Sequence, residues 1–206
     1  MLHVSQRRQL YAMFSTLFSY PDRVILEQLV SGQLLQPAQL LDQDAQLPKL
    51  AGENDLEALQ VAFTDLFINR RGGVPAPPYG SVYLDAGEQL HGPSTGEVAQ
   101  AYQAAGLVFE QSSTEPADFL ATELEFLYFL VGKEEQGFER RDLQAAQSAV
   151  IRQARFFQRL FAPWIPEFCG RIAAEPSAHP VYAWAAARLA CFCATEQEWL
   201  TKIAPE

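Results

Sequence analysis

Cysteine is scarce in this chain, with three among 206 residues, at positions 169, 191 and 193. An odd number clustered late in the sequence argues against a secreted disulfide framework and for a reducing, cytoplasmic setting. Cys191 and Cys193 stand two apart on an expected helix, where side chains diverge by about 200°, so they cannot easily grip one metal ion. They read as small apolar residues of the interior. Histidine is as scarce: His3 falls in a terminus expected to be loose, His91 in a loop and His179 before a proline, which gives no scaffold for a triad or a zinc site. No run of 18 apolar residues occurs, the nearest being residues 126–131, so no membrane span is expected. Basic residues are outnumbered 15 to 25, for a net charge of −10. Phosphate backbones require clustered Lys and Arg, so a nucleic-acid binder is excluded. Gly72 and Gly73 follow two arginines but run into prolines instead of a helix, and so do not form a phosphate loop. Arg7 and Arg8 superficially suggest an export leader. The residues after them are amphipathic and lack an uncharged core, so no leader is expected and the pair is expected to face water on the first helix.

The residues present describe an all-α protein. Leu10, Phe14, Leu17 and Phe18 repeat at helical spacing up to Pro21, and a second helix follows over about residues 22–30, closed by Gly32. Residues 37–41 make at best a helical turn. Asn54 with Glu57 reads as a capping box ahead of Leu56, Leu59, Phe63, Leu66 and Phe67, and Ser94 with Glu97 as another, for a helix ended by Gly106. Pro116 suits the first turn of a helix capped by Thr114 or Glu115. That helix, over about residues 116–131, is apolar on most sides and is expected to run through the centre. Further helices follow up to Pro163, over residues 164–173, and from His179 and Pro180 to the region of Leu200. The expectation is one helical unit over 1–206, with residues 69–94 and 132–140 as the places where a subdivision would fall.

Between these helices, residues 72–95 hold Pro75, Pro77 and Pro78 with flanking glycines, yet also Tyr79, Val82, Tyr83 and Leu84, which a solvated linker would lack. A long loop with apolar anchors is a candidate for function. Net charge is −4 over residues 1–68, −7 over 69–135 and +1 over 136–206. The acid concentrated around this loop is either a solvated face or an attractor of cationic ligands. Tyr79 and Tyr83 either pin the loop to the core or line a groove for an apolar or Arg-bearing peptide. Asp118 is either a cap for the orphan amides of its own helix or a carboxylate acceptor for a bound peptide. Asp118, Glu123 and Glu125 lack the Glu/His spacing of a helical metal site, and Glu123 and Glu125 diverge.

Residues 77–85, Pro-Pro-Tyr-Gly-Ser-Val-Tyr-Leu-Asp, resemble the P-P-[YW]-x-S-x-[YW]-L-D stretch of the TorD/DmsD/NarJ family of redox-enzyme maturation chaperones. Gly92, Ser94 and Thr95 resemble its G-x-S-T element, and Glu115, Pro116 and Asp118 its E-P-x-D-H element. Glu123, Leu124 and residues 126–130 are similar to its following helix. One departure stands out: Phe119 occupies the place of the family's histidine, so no imidazole role carries over. The resemblance implies a TorD-like helical globule of roughly eight to ten helices, interrupted by the long Pro-rich loop. It implies binding and not catalysis, without a cofactor of its own, by a cytoplasmic monomer or homodimer. The implied partners are the twin-arginine leader and the catalytic subunit of a molybdoenzyme, held until cofactor insertion is complete. The implied peptide site comprises Tyr79, Ser81, Tyr83, Leu84, Asp85, Glu115, Asp118, Phe119 and Glu123. A small helical hydrolase using Asp118, or a structural subunit of an oxidoreductase complex, is the alternative.

Overall fold

The computed structural model describes residues 2–50, 55–87, 90–108 and 115–203. Helix α1 (Val4–Leu17) opens on His3, whose ring nitrogen accepts from the Ser5 amide while the Gln6 side chain accepts from the His3 amide. The terminus expected to be loose is therefore a reciprocal capping box. Helix α2 (Arg23–Val30) is capped by Asp22, which accepts from Ile25 N at 2.8 Å. Gly32, at φ 76°, turns the chain out of it toward α3 (Leu35–Gln39). Helix α4 (Asp55–Phe63) runs on into a π-helical turn, Thr64–Ile68, and Asn54, its expected cap, lies outside the described residues.

The Pro-rich segment is not loop throughout, because residues 80–84 wind into a one-turn helix, α5 (Gly80–Leu84). Helix α6 (Pro93–Ala104) also begins differently from expectation. No Ser94–Glu97 box forms; instead Ser94 donates its amide (3.1 Å) and its hydroxyl (2.7 Å) to the carboxylate of Asp85. A more distant carboxylate competes successfully here because two donors converge on it. Helix α7 (Leu120–Glu139) starts after Pro116, not around it. Pro116 opens a turn closed by Phe119 N to Pro116 O at 3.2 Å, and Phe119 is the cap residue, with no side-chain bond. Of the two caps expected there, Glu115 does not serve and Thr114 lies outside the described residues. The chain continues as α8 (Leu143–Phe156) with a second π-helical turn, Phe157–Phe161, then α9 (Ile165–Ala174) and α10 (Pro180–Ile203). Among the described residues there is no strand, only a single antiparallel bridge. No helix of the described residues is long and apolar enough to cross a membrane.

Helix α7 is the spine, as its composition predicts: Leu120, Leu124, Leu127 and Val131 are fully buried, and both α1 and α8 pack extensively against it. The approach of α8 depends on Gly137, where a Cβ would stand 2.7 Å from the Ala146 amide nitrogen and 2.9 Å from its Cα. Phe18, Phe67, Phe168 and Tyr182 join α1, the turn after α4, α9 and α10 through ring contacts of 5.3–6.2 Å. Cys169 and Cys193 are buried, whereas Cys191, expected inside, is exposed. Burial pushes the Cys169 thiol up to about 12, leaving it without nucleophilic character.

The expectation that both N-terminal arginines face water fails for Arg7, which is 1% exposed. Its Nε donates to both oxygens of Glu196 at 2.9 Å, Nη1 to Glu134 at 2.9 Å and Nη2 to Gln153 and Glu196. Tyr11 donates to the same Glu196, and the indole of Trp199 lies 3.6 Å from the guanidinium. Burial works against the charge of Arg7, but Glu196, assisted by Glu134, outweighs it and holds the guanidinium above its ordinary pKa. One side chain thus joins α1, α7, α8 and α10. Arg8 remains partly exposed, paired with Glu135 at 2.8 Å and lying over Tyr128.

Candidate functional site

The Pro-rich segment and the turn before α7 are laced together by backbone. Tyr79 and Phe119 form the antiparallel bridge, with Gly80 N donating to Asp118 O at 3.0 Å and Leu120 N to Pro78 O at 2.8 Å. Prolines at 77 and 78 withhold donors, so on this side the bridge draws on the Gly80 amide beyond them, and Pro78 contributes only its carbonyl. Asp118, completely buried, accepts the Ser81 amide at 2.7 Å. It is therefore a cap, but of α5 and not of its own helix. Gly80 is held closely: a Cβ there would meet the Trp164 indole nitrogen at 3.3 Å.

The side chains sort into two sets. Ser81, Asp118 and Glu123 are buried, so they position the site and present nothing to a ligand on the surface. Tyr79 and Phe119 are half-buried, their rings 5.6 Å apart, and exposed Glu115 accepts from the Tyr79 hydroxyl at 2.7 Å. Burial and then the Glu115 carboxylate push the Tyr79 phenol well above its ordinary pKa, so it stays a donor at any physiological pH. Tyr83 stacks on Trp164 at 5.4 Å, and the guanidinium of Arg171 already sits 4.7 Å from its ring. Leu84 packs on the core, and Asp85 is committed to Ser94. Phe119, where the family pattern has histidine, supplies an apolar face that does not titrate.

Beneath this surface lies a polar cluster that spacing did not reveal. Both Glu123 oxygens, Asp118 Oδ1, Ser81 Oγ and Trp164 Nε1 are buried without a hydrogen bond. Burial first, then the Asp118 carboxylate, push Glu123 well above the ordinary carboxylate range; the Trp164 N–H opposes this only weakly, short of hydrogen-bond geometry. A carboxyl that holds its proton more tightly when folded stabilises the fold fully below its unfolded pKa near 4.5. That stability is lost as pH rises through the raised folded value. Glu123→Gln should therefore melt increasingly above the wild type as pH rises from about 4 to about 8, a trend set by linkage. Parallel melting curves would show that Glu123 is solvated and ionised.

Comparison with known proteins agrees with this architecture. Residues 33–170 match the family described as nitrate reductase delta subunit, and the chain belongs to that family. It is 30% identical to the chaperone protein TorD of Vibrio vulnificus over 179 residues, covering 86% of this chain and 80% of that one. With the chaperone protein TorD of Vibrio atlanticus it shares 26% identity over 216 residues, covering 95% and 94%. The crystal structure of a putative redox enzyme maturation protein from Archaeoglobus fulgidus is similar, with a TM-score of 0.55 and 25% identity over 94% of this chain and 93% of that one.

Proposed function

We propose that this protein is a chaperone that binds the twin-arginine leader and apoprotein of a molybdopterin-containing oxidoreductase and delays export until the cofactor is inserted. The observation that carries the reading is the accessible strip of Tyr79, Phe119 and Glu115, in a member of a family that includes TorD chaperones. A leader offers an arginine pair followed by an apolar stretch. Aromatic faces suit the apolar part, and Glu115 beside a ring suits a guanidinium. The already realised pairing of Arg171 with Tyr83 shows the same chemistry within the chain.

The test is calorimetry with a twin-arginine leader peptide. Tyr79→Ala and Glu115→Gln should each weaken binding by roughly tenfold, about 1.4 kcal/mol, with helicity unchanged. Affinity should also fall as salt rises, because the screening length is about 8 Å at physiological ionic strength. Wild-type affinity in both variants would remove the strip from the site. Loss of folding in either would assign it a structural role only.

A further inference from the structure

The leader strip leaves unexplained a second surface, on the far part of α8. Arg152 and Arg155 lie one turn apart on α8 and Arg159 on the π-helical turn that continues it, and all three line one groove, so they form a single basic stripe. Among the described residues Arg152 and Arg155 have no carboxylate partner, and Arg159 reaches only Glu97, in an exposed pair that contributes little. Unpaired arginines are conspicuous in a chain of net charge −10. Beside the stripe lies a groove of about 920 Å³ between the ends of α7 and α10 and the length of α8. Its apolar lining is unusually open to water: Leu143 is 69% exposed, Phe138 51% and Ile203 50%. Arg155 and Arg159 line this groove and also a second one, of about 750 Å³, toward α6, so they form the ridge between the two.

We propose that this face docks an acidic amphipathic helix from the mature part of the client enzyme, separate from the leader. The inference rests on the chaperone reading above. Charge complementarity selects the occupant. A helix laying its apolar side into the groove would place carboxylates on its flank against Arg155 on the ridge and, across that ridge, Arg152 at the edge of the second groove. The apolar depth of the groove favours a peptide over a polyanion, and the acidity of the rest of the chain repels nucleic acid.

The probe is the cofactor-free catalytic subunit of a molybdoenzyme from the same cells, made with and without its leader and titrated against the full chain. The expected result is that the wild type binds the leaderless subunit, that R152E/R155E binds it at least tenfold more weakly, and that R152K/R155K stays within about threefold of wild type. Leader-peptide affinity should be the same in all three, and a photo-crosslinker at Ile151 should attach to an acidic segment of the mature subunit. Equal binding of the leaderless subunit by wild type and charge-reversed variant would overturn the proposal. So would crosslinking to the leader or to a second copy of the chain, or a wild type that binds leader but not leaderless subunit. A wild type that binds neither overturns the chaperone reading itself.

Discussion

Arg7→Ala should lower stability by about 3–5 kcal/mol, the usual consequence of stranding buried charge. For a chain of this size that corresponds to a melting midpoint lower by roughly 6–20 °C. The cause is less the loss of attraction than what stays behind. Glu134 and Glu196 are 3% and 1% exposed, and without the guanidinium they repel each other across a space that water reaches poorly. Gln153 and Tyr11 would keep donating to Glu134 and Glu196 and so soften the effect without cancelling it. Adding Glu196→Gln to Arg7→Ala should recover part of the loss, because one of the two stranded charges is removed. Thermal and urea melts of the three variants measure this. A single-variant loss under about 1 kcal/mol would mean that the network is hydrated.

Asp118→Ala should cost about 2–3 kcal/mol, because the carboxylate accepts a buried amide and bonds to charged groups are of that size. Ser81 N would lose its acceptor at the first turn of α5, directly after Tyr79. Asp118→Asn keeps an acceptor oxygen for the Ser81 amide, so it should cost under about 1 kcal/mol. Leader affinity separates two ways in which Asp118 can matter. If it acts by positioning, the alanine variant loses affinity through a displaced Tyr79 while the asparagine variant keeps it. Direct pairing with a leader arginine would instead make the two variants equally poor. An alanine variant that melts like the wild type would show that this cap does not hold α5.

Much of the fold was legible because helices announce themselves by period and punctuation. Gly32 and Gly106 end helices where their left-handed φ is needed, and the apolar girth of residues 120–131 marked α7 as central. Caps are one place where local spacing fails. Spacing can propose Ser94 with Glu97 or Asp118 with its own helix, but a carboxylate binds whichever amide tertiary packing brings within 3 Å, and Asp85 and Asp118 each serve a different helix from the one nearest in sequence. The arginine network does leave a signal in the sequence. Arg7 lies on the same stripe as Leu10, Tyr11 and Phe14, Glu134 follows Leu130 by one turn, and Glu196 lies between Phe192 and Leu200 at the same spacing. Charges of opposite sign on buried stripes imply one another. For the candidate site, the order of motifs named two segments that the fold brings together, yet which residues are surface and which are support depended on a bridge between positions 79 and 119 that no local pattern encodes.

That bridge has a consequence for the order of events during folding. Closing a loop across the forty positions from Tyr79 to Phe119 costs chain entropy before any contact returns it. The contacts that return it, Trp164 against Gly80 and Asp118 beneath Ser81, exist only once α7 and α9 are docked. The Tyr79–Phe119 strip is therefore expected among the last parts of the molecule to form. If that strip is the leader site proposed above, a half-folded copy lacks it, and binding competence would report that the chain has finished its own folding before it takes charge of another protein's.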